Sequence, residues 1–206
     1  LEIKRSEFIG HIKRVSTVEE ARAYIESVRK TYHDARHVCS AFIIGADRDI
    51  QRSSDDGEPA GTAGVPMMQA LLARQTREDG TTDLSDVVAV VVRYFGGIKL
   101  GAGGLVRAYT DAVVQTLDSA LFDSRERLRV GQVPSSHADA GRLENEIRAA
   151  GLNVLGTEYG AEGATISLGV FDRPEELERA EELVVSLSSG AASVTWGDTQ
   201  WVDLPV

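Results

Sequence analysis

The sequence predicts an α+β protein of two domains, residues 1–124 and 125–206. In the first part, helix and strand patterns mix without the strict alternation of a doubly wound parallel sheet. The second part reads β-α-β-β-α-β, the signature of a ferredoxin-like split unit. The chain has 206 residues, 42% hydrophobic and 26% charged, which is ordinary globular usage and enough for one large domain or two small ones. That composition excludes a disordered, a collagen-like or a coiled-coil chain.

Ser16-Thr17-Val18-Glu19 opens the first helix. Ser16 is placed to cap it while Glu19 reaches back, a capping box. Ala21, Tyr24, Ile25, Val28 and Tyr32 then recur at helical spacing. His37 to Gly45 reads as a strand, with Asp49 to Ser53 as its partner. From Ser54 to Gly64 the chain is turn chemistry, with two Asp, three Gly and one Pro. A short helix follows, with Pro66 tolerated near its first turn and apolar Val65, Met68, Leu71 and Leu72. Thr76 to Asp86 is polar and reads as an exposed loop. Asp86 to Phe95 is the clearest strand, and its nearly continuous valines suit a central position buried on both faces. After a glycine loop, a helix is expected from about Gly103 to Ala120.

Arg125 to Val133 opens the second domain as a strand. Pro134-Ser135-Ser136 turns the chain into a helix that Gly151 stops. Strands are expected at Asn153–Tyr159 and Ala164–Phe171. Asp172 is placed to cap a helix with Pro174 in its first turn, running to Leu187. A last strand covers Ala192 to Trp201. Trp196 and Trp201 read as packing, and the acidic helix carrying Glu175, Glu176, Glu178, Glu181 and Glu182 as a solvated face.

The formal charge is −10. That argues against a protein that coats nucleic acid non-specifically, because such binding needs many cations on phosphates. Residues 1–124 hold 15 basic and 18 acidic residues and the remainder 7 and 14, so the first domain is the better place for an anion. The single cysteine, Cys39, excludes an internal disulfide framework and a cysteine-only zinc site. The longest purely apolar run, Val87 to Val92, is far short of a membrane span. No basic-then-apolar leader opens the residues given, so a reducing, cytoplasmic setting without membrane contact is expected.

Two segments carry the candidate chemistry. Asp55, Asp56 and Glu58 put three carboxylates within four residues. They are candidate ligands for a divalent cation or members of a general-base cluster. Turn chemistry is the competing reading, in which Asp side chains bond to nearby backbone and Thr62 caps the next helix. The spacing is not that of a calcium loop. The second segment holds five glycines among nine residues: Gly96, Gly97, Gly101, Gly103 and Gly104. They lie between a buried strand and a helix N-terminus, where free amides and the positive dipole end favour an anion. Lys99 lies in this loop, and Arg93 and Arg107 flank it. Ala102 stands where a Walker A loop needs lysine, and Val106 where a dinucleotide fingerprint needs glycine. Arg107 is also spaced to pair with Asp111. Five glycines exceed what a tight turn needs, and each has an entropic cost, so a ligand or partner approaching the loop is the sharper reading. His37 and Cys39 share one strand face, but parallel side chains about 7 Å apart are poorly placed for proton transfer. Cys39 reads as buried packing.

These residues resemble the YigZ/IMPACT family. The resemblance rests on Ser6-Glu7-Phe8-Ile9, His37-x-Cys39-x-Ala41, the loop from Asp55 to Gly64, and Arg93-Tyr94-Phe95-Gly96-Gly97 with Leu100-Gly101 and Gly103 to Tyr109. It spans about Ile3 to Ala120. The weakly patterned second part resembles the small C-terminal domain of bacterial members. Ala60 stands where the family often has serine, which removes a hydroxyl. The resemblance implies a left-handed β-α-β superfold in the first domain. That superfold is shared with domain IV of elongation factor G, a small-subunit ribosomal protein domain and kinases of the galactokinase type. The second domain is implied to be similar to the ferredoxin-like domains of elongation factor G. Eukaryotic relatives regulate translation through protein contacts, by competing for an activator of a kinase that phosphorylates an initiation factor.

The leading expectation is therefore a non-catalytic binding protein linked to translation, without a cofactor. RNA, the ribosome or a protein would be its partner, and the glycine loop with Arg93, Lys99 and Arg107 its binding face. The alternatives are an enzyme acting on a phosphorylated small molecule or nucleotide with Mg²⁺, and a pure protein-interaction module.

Overall fold

The computed structural model describes residues 1–204. The chain divides into two compact units, Leu1–Leu121 and Phe122–Val206. In the first unit the elements run β1 (Glu2–Ile3), β2 (Ser6–Arg14), α1 (Val18–Thr31), β3 (His37–Ile44), β4 (Ile50–Ser54), α2 (Gly64–Leu72), β5 (Val87–Tyr94) and α3 (Ala102–Asp118). In the second they run β6 (Ser124–Ser135), α4 (Ala140–Ala149), β7 (Asn153–Tyr159), β8 (Ala164–Phe171), α5 (Pro174–Leu187) and β9 (Thr195–Leu204). The architecture is α+β with antiparallel sheets. No helix among the described residues is long and apolar enough to cross a membrane.

The first sheet has the order β1-β2-β5-β3-β4. The valine-rich strand β5 lies at its centre, antiparallel to both β2 and β3. Its alternate side chains enter two cores. Val87, Ala89 and Val91 pack with Met67 and Leu71 of α2 and Tyr109 and Val113 of α3. Val88, Val90 and Val92 pack with Ala21 and Val28 of α1. The continuous apolar run therefore reflects helices on both faces. Phe8 meets Tyr109 edge-on, with ring centroids 5.3 Å apart, a favoured aromatic geometry.

This topology settles a point of handedness. β2 and β3 are parallel to each other, as are β4 and β5. The β2-α1-β3 and β4-α2-β5 connections each skip one strand. They run in opposite directions across the sheet, between strand pairs of opposite polarity, and place their helices on opposite faces. Reversing direction and polarity together preserves hand, whereas changing face inverts it. One crossover is therefore left-handed, the uncommon hand for such connections.

The second sheet has the order β7-β8-β6-β9, the strand arrangement of a ferredoxin-like unit. Val133, Ile166 and Leu168 pack against Leu143 and Ile147 of α4 and Ala180 and Val184 of α5. Arg125, Arg127 and Arg129 on β6 donate to Asp203, Thr199 and the Gly197 carbonyl of the β9 stretch.

Several local expectations shift. The α1 cap is Thr17, whose hydroxyl accepts from the Glu20 amide at 3.1 Å. Glu20 in turn accepts from the Ser16 amide at 2.7 Å, so the box lies one residue later than the pattern suggested. Asp172 does not cap α5. It accepts from Arg129, and Arg173 is the N-cap. The last strand begins at Thr195 rather than Ala192 and runs to Leu204. The sequence pattern does not reveal strand β2, because its residues pack on both faces, Phe8 and Ile12 in one core and Ile9 in the other, so its apolar residues do not alternate.

Candidate functional site

The loop between β4 and α2 folds around its own carboxylates. Asp55 accepts from the amides of Gly61 (2.8 Å), Ala63 (3.0 Å) and Gly64 (2.8 Å). Burial works to raise its pKa, but the three amides win and hold it below the ordinary aspartate value. Asp55 thus fills the N-terminus of α2 from a distance, with Pro66 contributing no N–H to that first turn. Thr62 does not cap the helix; its hydroxyl donates to the Pro59 carbonyl at 2.7 Å. Asp56 takes a bidentate bond from Arg29 at 3.1 and 3.0 Å and a third from the Val38 amide at 2.7 Å. Gly64 is required by close approach, since a Cβ there would lie 2.8 Å from the Ser54 nitrogen.

Glu58 turns inward instead. Its Oε1 accepts from Arg93 Nη1 at 2.6 Å and from the Tyr109 hydroxyl at 2.8 Å. The side chains of Arg93 and Glu58 are only 6% and 3% exposed, so this ion pair is fully desolvated. The guanidinium lies 5.4 Å from the Phe8 ring centroid and 5.5 Å from that of Phe95, a double cation–π contact. Arg93 Nη2 lies 3.4 Å from Ser6 Oγ, which also accepts from the Gly96 amide at 3.2 Å. Arg93 Nε is buried without a partner among the described residues. Glu58 and Arg93 therefore tie the carboxylate loop to the glycine loop.

The three acidic residues thus serve three different protein groups. Among the described residues, no three His, Cys, Asp or Glu side chains form a group suited to a metal ion. Cys39 is fully buried. Its thiol donates to the Asp55 carbonyl at 3.0 Å and lies 3.3 Å from the Tyr109 hydroxyl. Burial pushes it up to about 12, far from a reactive thiolate. His37 Nδ1 lies 2.9 Å from the Asp56 carbonyl, which requires a proton on Nδ1.

The glycine loop leads into α3, and here the helix end is open. Gly101 is the N-cap, with φ 75° and no side-chain cap. The amides of Ala102, Gly103 and Gly104 have no hydrogen-bond partner among the described residues. Gly96 is explained by packing, because a Cβ there would lie 1.9 Å from the Arg5 carbonyl oxygen. At Gly103 no such reason exists: the position is helical and a Cβ would meet open space.

A cleft of about 350 Å³ lies against this helix end, lined by Arg36, His37, Glu58, Pro59, Arg93, Phe95, Lys99, Leu100, Gly101, Ala102 and Leu105. Neither Arg36 nor Lys99 has a carboxylate partner among the described residues. The cleft wall therefore carries three cations and one carboxylate in a chain of charge −10. A larger concavity of about 840 Å³ in the second unit, around Ser135 and Gly160 to Ala164, is lined by no cation.

Comparison with known proteins agrees with this architecture. The family described as the Impact N-terminal domain matches residues 4–117, and a domain of unknown function (DUF1949) matches residues 136–191. The chain is 36% identical over 204 residues to the IMPACT family member YvyE of Bacillus subtilis (strain 168), covering 99% of this chain and 89% of that one. The chain belongs to the IMPACT family. The IMPACT family member YigZ of Escherichia coli (strain K12) is 49% identical over 118 residues, 56% of this chain and 54% of its own. A solved structure described as "Crystal structure of an hypothetical protein" covers 94% of this chain and 90% of its own, with 32% identity and a TM-score of 0.62.

In this IMPACT family protein, Glu58, Arg93, Lys99 and Gly101 come together in the cleft, while Asp55 and Asp56 shape the loop behind it. Arg107 is 84% exposed on α3, 3.7 Å from Asp111, and does not line the cleft. Gly96, Gly97, Gly103 and Gly104 build the loop and helix end without lining the cleft themselves. Sequence reasoning missed Arg36, Phe95 and Tyr109. Arg36 precedes β3 by one residue, and the register that puts His37 opposite Arg93 brings it to the same end of the sheet. No spacing rule within one element reveals that.

Proposed function

We propose that the chain is a non-catalytic binding protein linked to translation, which holds an anionic group of RNA or of the ribosome in the first-domain cleft. The observation that carries this reading is the uncapped start of α3. Its first three amides have no partner among the described residues, and Ala102 of that turn lines the cleft together with Lys99 and Arg36, two cations without a carboxylate partner among the described residues. Free amides at a helix N-terminus favour negative charge, and nearby cations add attraction that salt screens. The buried, high-pKa Cys39 and the fully engaged Asp55 and Asp56 favour binding over covalent or acid–base chemistry.

The test is a salt titration of binding to a structured RNA or to ribosomal subunits. Double substitution Arg36→Glu with Lys99→Glu is expected to abolish binding without unfolding the chain. Wild-type affinity is expected to fall with rising salt, as phosphate binding requires. Arg107→Glu measures how far the face extends beyond the cleft; a phosphate contact there would lower the salt slope by about one. Affinity unchanged in the double variant would remove the proposal. Phe95 of the cleft and Ile98 of the glycine loop, each 44% exposed, favour a second reading, a docking surface for a protein. Capture of a partner that survives nuclease but fails with Phe95→Ala would carry it.

A further inference from the structure

The basic cleft contains one buried carboxylate, and a site for a plain anion would not. Glu58 spends both of its hydrogen bonds on Oε1. Its Oε2 has no partner among the described residues. The side chain is only 3% exposed, and Glu58 lines the cleft. A buried acceptor left in this state needs a donor from outside. A polyanion offering only oxygens would leave that acceptor without a donor. A ligand with hydroxyl donors next to an anionic group would satisfy Glu58 and the α3 amides together. Phe95 supplies the third feature. The residue is 44% exposed, and the Arg93 guanidinium lies 5.5 Å from its ring centroid, which gives an apolar face at the rim. The volume of about 350 Å³ is that of a small-ligand pocket, not of a groove for a duplex.

We propose that the cleft recognises a ribonucleotide unit, with Glu58 Oε2 accepting from the ribose hydroxyls, the base stacked on Phe95, and the phosphate at the α3 amides and Lys99. This rests on the anion-binding reading of the same cleft and adds to it the demand for a sugar hydroxyl. The 2′-hydroxyl is the group by which a protein separates RNA from DNA at one position. Base–aromatic stacking is sequence-tolerant, so preference for the sugar is expected without strong preference for the base.

The experiment uses the full chain and fluorescence anisotropy with labelled single-stranded RNA and DNA of one sequence. RNA is expected to bind about tenfold tighter, the worth of a single hydrogen bond to a charged group. Glu58→Gln is expected to bring RNA affinity down to that of DNA. Because Glu58→Gln also breaks a buried ion pair, Phe95→Ala at the exposed rim provides an independent check. It is expected to weaken RNA and DNA alike, while the wild-type ratio needs no variant. Adenosine 5′-monophosphate displacing the RNA identifies a free nucleotide as sufficient. RNA preference without such displacement identifies a nucleotide within a strand. Equal binding of RNA and DNA by the wild type overturns the ribose inference and leaves the anion reading standing. Binding of neither overturns both.

Discussion

Two glycine-rich loops of the first domain each run from a strand into a helix, and they treat the helix end in opposite ways. Ahead of α2, Asp55 reaches across to the Gly61, Ala63 and Gly64 amides, and Pro66 has no amide to satisfy. Ahead of α3, Gly101 offers no side-chain cap and the amides of the first turn have no partner among the described residues. Similar composition thus yields one closed and one open end. Glycine content shows that backbone comes close to something. Only the fate of the amides shows whether that something is the protein itself. A carboxylate of its own in the closed loop means that the anion is built in. On the proposed reading, the open end, beside cations without a carboxylate partner among the described residues, takes its anion from outside.

The strongest way to break this contrast is to cut the link between the loops. Arg93→Ala strands Glu58 in the interior and is expected to destabilise the fold by about 4 kcal/mol, as the loss of one partner of a buried pair does. Denaturant unfolding would register it as a lower midpoint. Joint replacement with Arg93→Met and Glu58→Leu is expected to recover most of the loss, and failure to recover would show that the pair does more than fill space. Next comes the closed end itself. Asp55→Ala removes the acceptor for three amides and is expected to cost about 2 kcal/mol. Asp55 has a folded pKa below its unfolded value. Its contribution is therefore complete above pH of about 4, the ordinary aspartate range, and is lost as pH falls through the lower folded pKa. The wild type is expected to lose more stability than Asp55→Ala on acidification below pH 4. Parallel curves would contradict the built-in cap.

The open end is expected to behave in the reverse sense. Gly103→Ala places a methyl group in open space within a helix and is expected to stabilise by about 0.5–1 kcal/mol while weakening anion binding. A gain in stability with unchanged binding would mean that the glycine serves no ligand. Smallest in stability is Arg36→Glu with Lys99→Glu, expected to shift unfolding by no more than about 0.5 kcal/mol because neither side chain is paired within the described residues.

Much of this architecture can be read from the chain. The valine run of β5 and the strand–helix order of the second domain are local patterns, and both reach the structure intact. Strand β2 escapes because packing on both faces erases its alternation; Gly10 is part of that cost, lying so close to α3 that a Cβ would meet Thr116 Oγ1. The site is legible in its residue types but not in its partnerships. Asp55, Asp56 and Glu58 read as one cluster because they are neighbours in sequence. Their side chains diverge to α2, to Arg29 and to Arg93, and the last two partners lie 27 and 35 residues away. Arg107 reads as part of the glycine loop because it is close in sequence. It does not line the cleft, where Arg36 and Lys99 are the cations without a carboxylate partner among the described residues.

The most direct measurement follows backbone amide resonances during titration with inorganic pyrophosphate. Saturable shifts are expected at Ala102, Gly103 and Gly104, with the Gly61, Ala63 and Gly64 amides unmoved because Asp55 already occupies them. Shifts that are absent at α3, or equal at the two helix ends, would contradict an open anion site.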